Sequence, residues 1–129
     1  MFVKVRRAFT AGSILFLLVL FTLPSLYLKS RCRELSELGE QVLAYALAEN
    51  NPAARETYGT MRERYEAMRG KAELFLDHRV MDAATLPLAL MEVYLTAGDT
   101  VSLEAAFVQF QEALNCILAI EAGDPRLFL

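Results

Sequence analysis

The chain has 129 residues, enough for one domain and an accessory segment, and its apolar fraction of 55% exceeds what a soluble domain usually carries. Charge is uneven along it: residues 1–33 hold six basic groups and no acid, whereas residues 34–129 hold seven basic groups against sixteen acids, a net of −9. So acidic a main segment repels phosphate backbones, which argues against nucleic-acid binding.

Residues 1–7 form a short basic tail with Lys4, Arg6 and Arg7. From Ala8 to Leu28 no charge occurs for 21 positions. At 1.5 Å per residue a helix of that length reaches roughly 30 Å, the thickness of a bilayer's hydrocarbon core. Its centre, Ile14, Leu15, Phe16, Leu17, Leu18, Val19, Leu20 and Phe21, is too apolar for a surface helix. A cleaved signal peptide would have an apolar region of only ~7–15 residues and end in a small-x-small site. Here the run closes on Pro24-Ser25-Leu26-Tyr27-Leu28. The expectation is therefore an uncleaved transmembrane anchor over residues 8–28, with Tyr27 as an interfacial aromatic and Pro24 as a point of local bending. Lys29, Arg31 and Arg33 read as a basic juxtamembrane linker, residues 29–33. Basic groups nearly balance across the span, and the short N-terminal tail favours a cell-membrane, single-pass topology with the main domain outside the cytoplasm.

Residues 34–122 read as an all-α domain, an antiparallel four-helix bundle made of two helical hairpins. The first helix, about Arg33 to Glu49, spaces Leu35, Leu38, Val42 and Tyr45 along one face, widened by Leu43, Ala46 and Leu47. Asn51 is the expected cap of the next helix, with Pro52 in its first turn. That second helix, to about Leu76, carries the stripe Ala54, Tyr58, Met61, Tyr65, Met68, Ala72 and Phe75, a bundle seam, while its other faces are charged. The third helix is expected from Asp82 to Thr96 with Pro87 near its start. It is apolar almost all round, as in a central or oligomeric helix. Gly98-Asp99 makes a stop and a cap, and a fourth helix from Val101 to about Ala122 buries Leu103, Phe107, Phe110, Leu114, Ile117 and Ile120. Matching the Asn50-Asn51 turn to Gly98-Asp99 relates the hairpins by a spacing of 48. Residues 123–129 form an apolar tail ending Leu127-Phe128-Leu129.

The two cysteines lie far apart without CxxC spacing, weak ground for a disulfide. Cys32 is expected as a free thiol at the membrane interface and Cys116 as a small core residue. The only histidine, His78, stands between Asp77 and Asp82. A catalytic zinc site needs about three protein ligands, so Asp77, His78 and Asp82 read first as a capped helix corner. A pH- or metal-responsive corner is the alternative. No phosphate-cradling glycine loop, nucleophile elbow, HExxH or Glu-x-x-His pattern is present, and no catalytic residue or cofactor is assigned.

The segments Leu74-Phe75-Leu76-Asp77-His78, Asp82, Tyr94-Leu95-x-x-Gly98-Asp99 and Arg126-Leu127-Phe128-Leu129 together resemble a family, domain of unknown function 4363. The resemblance implies a small single-anchor helical protein of Gram-positive spore-forming bacteria, and a membrane partner. Family members often carry a Trp in the second helix, which this chain lacks. The functional expectation is a non-enzymatic interaction or scaffold module that meets the lipid bilayer and another membrane protein or itself, with Leu127, Phe128 and Leu129 as contact residues. An extracytoplasmic sensor using the Asp77–His78–Asp82 corner is the competing expectation.

Overall fold

The structure, a computed structural model, describes residues 2–74 and 76–121, without the side chains of residues 2, 3, 21, 22, 24, 25 and 121. It is all-α: the helices are α1 (Phe2–Leu47), α2 (Asn51–Ala72), α3 (His78–Ala97) and α4 (Thr100–Glu121). The 46 residues of α1 span roughly 70 Å and run without a break through the apolar run, Pro24 and the basic segment 29–33. The juxtamembrane linker expected at 29–33 is thus helix. Basic side chains do not interrupt a helix when their apolar neighbours keep a helical phase, and here Leu28, Cys32, Leu35, Val42 and Ala46 are all buried along one face.

The core is assembled from that face, from Tyr58, Met61, Tyr65 and Met68 of α2, from Met81, Leu88 and Met91 of α3, and from Leu103, Phe107, Phe110, Leu114 and Ile117 of α4. Tyr65 meets Phe110 edge-on at 5.7 Å between centroids, joining α2 to α4 through the centre. Within this frame α1 packs broadly on α2 and α3 broadly on α4, and the contacts between the two hairpins are slighter.

Several sequence expectations change here. Helix α2 ends at Ala72 rather than Leu76, and α3 starts at His78 rather than Asp82, because Asp77 accepts the Arg79 backbone N–H and acts as the cap. Pro87 consequently lies inside α3, buried. The cap of α2 is Asn50, which accepts the Ala53 N–H, and Asn51 is already helical. The thiols exchange roles: Cys32 lies in the buried stripe of α1, and Cys116 is exposed on α4. Tyr45 and Leu47 are exposed rather than core. Phe75 and the tail Leu127-Phe128-Leu129 lie outside the described residues.

The hairpins repeat one another at a spacing of 49, not 48. At the end of α1, Asn50 N–H donates to Tyr45 O (2.9 Å) and Glu49 N–H to Ala46 O (3.1 Å). At the end of α3, Asp99 N–H donates to Tyr94 O (3.0 Å) and Gly98 N–H to Leu95 O (3.3 Å). This is the same helix-ending motif with the same left-handed residue, Glu49 at φ 60° and Gly98 at φ 71°. Each turn then supplies the next cap, Asn50 for α2 and Asp99 for α4, the latter through the Ser102 N–H at 3.1 Å. Buried positions follow the same spacing, for example Cys32 and Met81, Val42 and Met91, Tyr58 and Phe107, Met61 and Phe110. Contacts across the hairpins repeat too. A Cβ on the buried Gly39 would overlap the Phe107 ring, and at the equivalent place Tyr58 donates its hydroxyl proton to the Leu88 carbonyl. The bundle is a pseudo-two-fold pairing of one hairpin design.

Candidate functional site

The corner around His78 is built on an arginine. Arg69, at the end of α2, donates to Glu73 (2.8 Å), Thr85 (3.1 Å) and Asp82 (3.1 Å), tying α2 to the start of α3. His78 Nδ1 lies 3.3 Å from Glu73 Oε1, and Asp77 is occupied as the cap of α3. The hydrogen bond from Arg69, with a smaller contribution from His78, holds the Glu73 carboxyl below its ordinary range. Asp77, His78 and Asp82 therefore each serve a different partner. Among the described residues no group of three His, Cys, Asp or Glu side chains is arranged to hold a metal ion. A guanidinium at the centre of the corner also competes with any cation for the same carboxylates.

Sequence reasoning overlooked the polar seam that continues from this corner. The Tyr65 hydroxyl, 2.8 Å from Met81 O and 2.7 Å from Thr85 Oγ1, and the Tyr58 hydroxyl, donating to Leu88 O, add buried hydrogen bonds to the α2–α3 contact. Burial pushes the Tyr58 phenol up to about 12, with Glu92 adding to the rise, and pushes Tyr65 up as well. Two tyrosines on a core stripe were the available signal, since a buried phenol needs an acceptor.

A cleft of about 530 Å³ opens between the two turns at the end of the bundle away from Leu28, lined in part by Leu47, Glu49, Tyr94, Asp99 and Leu103. Its size suits a small ligand. Among its polar groups Asp99 is committed to holding its turn: it accepts from the hydroxyl and the backbone N–H of Ser102, which keep its carboxyl below the usual range.

Exposed apolar surface is the more prominent feature. Every residue from Ile14 to Leu20 is exposed on α1, covering all faces of the helix. On α3, Leu86 and Val93 are exposed two turns apart, and on α4 so are Val101 and Val108. The outer positions of α2 are instead charged, including Arg55, Glu56, Glu63 and Arg64. By length and composition, His78–Ala97 and Thr100–Ile120 are apolar enough to cross a membrane, although part of each is buried in the bundle. Compared with protein families, characterised proteins and solved structures, the chain finds no match.

Proposed function

We propose that the chain is a membrane-anchored, non-enzymatic interaction module. The first half of α1 makes a single span, and the bundle on its second half presents α3 and α4 to another membrane protein or to a second copy of the chain. The observation that carries this reading is the division within α1. Residues Ile14–Leu20 expose apolar side chains on every face, whereas from Leu28 onward one face is buried. Leaving water is worth about 1.5–3 kcal/mol for each such large side chain when fully transferred, so an uncovered run of this kind favours lipid. Helices α3 and α4 are weaker candidates for spanning. Crossing would break the ion pairs of Glu92 with Arg62 and of Asp82 with Arg69, and strip the bundle of half its core.

The apolar outer positions of α3 and α4 fit a partner, as does the membrane partner implied by the resemblance to domain of unknown function 4363. A photocrosslinker at Val93 in native membranes should capture a protein, and one at Glu63 on the charged face of α2 should not. Equal capture at both positions would remove the case for a directed surface. The same reading puts the bundle outside the cytoplasm. A reporter active only in the cytoplasm, fused after Leu129, should stay silent.

A further inference from the structure

We propose that the anchored end of the bundle is itself a lipid-binding surface, with Leu74 entering the headgroup boundary and Lys29, Arg33, Lys71 and Arg79 holding anionic headgroups. The inference rests on the span proposed for α1 and adds a second membrane contact to it.

Because α1 is continuous, no linker separates span from bundle. Leu26 is 57% exposed and Leu28 is fully buried, so the core begins within two residues of the last exposed apolar position. The antiparallel register brings the end of α2 down to that level: Lys71 Nζ lies 5.1 Å from the centre of the Tyr27 ring, with Arg31 5.4 Å away. Tyr27, an aromatic of the kind found at headgroup depth, is thus gripped by a cation from each helix. The chain leaves α2 here, and Leu74 is 85% exposed, with no core to explain it.

Charge at this end separates into used and unused groups. Glu34 pairs with Arg31 and Arg64, Glu73 with Arg69 and His78, and Asp82 with Arg69, while Asp77 caps α3. Lys29, Arg33, Lys71 and Arg79 have no acidic partner among the described residues. At the far end the excess is of acids: Glu40, Glu49, Glu56 and Glu104 have no basic partner among the described residues, against one base, Arg55, without an acidic one. An anionic leaflet attracts the first set within a Debye length, roughly 10 Å at 0.1 M salt, and repels the second. Exposed leucine beside cations without acidic partners, at the level of an aromatic of interfacial type, is the chemistry of a peripheral lipid contact.

The chain has no tryptophan, so single-tryptophan variants report position directly. F16W, L74W and V101W forms of the full chain would be placed in phosphatidylcholine vesicles with and without phosphatidylglycerol, using lipids brominated along the acyl chain or near the headgroup. F16W should be quenched from the chain interior, L74W by bromines near the headgroup and severalfold more strongly than V101W. Quenching of L74W should fall towards the V101W level without phosphatidylglycerol or with K71E/R79E. An unquenched L74W beside a quenched F16W overturns the surface contact and leaves the span standing. An unquenched F16W overturns both. L74W quenching indifferent to lipid charge and to K71E/R79E overturns the headgroup role of the cations.

Discussion

The two hairpins share an interior and differ outside. Equivalent positions 49 apart are buried, both turns end in the same hydrogen-bonded motif, and the contacts between hairpins are related by the same exchange. Yet the outer face of α2 is charged, while α3 and α4 expose Leu86, Val93, Val101 and Val108. The shared set is what packing demands of any helical hairpin in this bundle. The difference in the outer faces is not set by that shared packing, and it is the feature on which the proposed partner surface rests.

The equivalence can be broken first in the core. Truncating Phe110 to Ala should cost about 3–5 kcal/mol, and Met61→Ala at the matching position about 2–5, with Phe110 the larger because its ring also meets Tyr65. Thermal unfolding of the detergent-solubilised chain reads both. Losses from one hairpin only would mean that the two do not share a core.

A smaller effect is expected where the hairpins differ by size. Leu88 occupies in α3 the place of Gly39 in α1, and Gly39 alone leaves room for the Phe107 ring. Gly39→Leu should destabilise by about 1–3 kcal/mol through overpacking, and Phe107→Ala in the same chain should recover part of that loss. Full additivity of the two substitutions would show that the residues do not face one another.

The turns sharpen the comparison further. Glu49 occupies a left-handed conformation that Gly98 adopts without a Cβ. Glu49→Gly should therefore stabilise by up to about 1 kcal/mol and Gly98→Ala should destabilise by a similar amount, as seen by denaturant titration. The thiols give an effect on labelling rather than on stability. Cys116 should react with a maleimide at neutral pH, and Cys32 only on unfolding. Burial raises the Cys32 thiol from 9.0 to about 11, so moderately alkaline buffer leaves it neutral while the chain is folded. Deprotonation would favour the unfolded chain as pH rises through that interval.

Much of this architecture was legible. The stripes of α2 and α4 follow helical spacing closely, and Gly98-Asp99 announces a turn, so the elements and their order could be read. What could not be read depends on phase and competition. Cys32 falls on the Leu28, Leu35, Val42 face and Cys116 falls off the Phe110, Leu114, Ile117 face, a matter of helical phase that composition hides. Asn50 and Asn51 are equally good caps on paper, and the left-handed Glu49 decides between them. Asp77 and Asp82 both suit the capped corner on paper; Asp77 takes the cap, and Asp82 instead pairs with Arg69, which reaches it and Thr85 across from α2. Long-range pairing of this kind leaves no local pattern.

The proposed function requires one span, made by α1. Alkaline extraction of membranes containing the full chain, beside a form lacking residues 1–26, tests it most directly. The full chain should stay with the lipid, and the shortened form should be released as a folded bundle. A full chain that washes off would contradict the span, and a shortened form that remains integral would move it to α3 and α4.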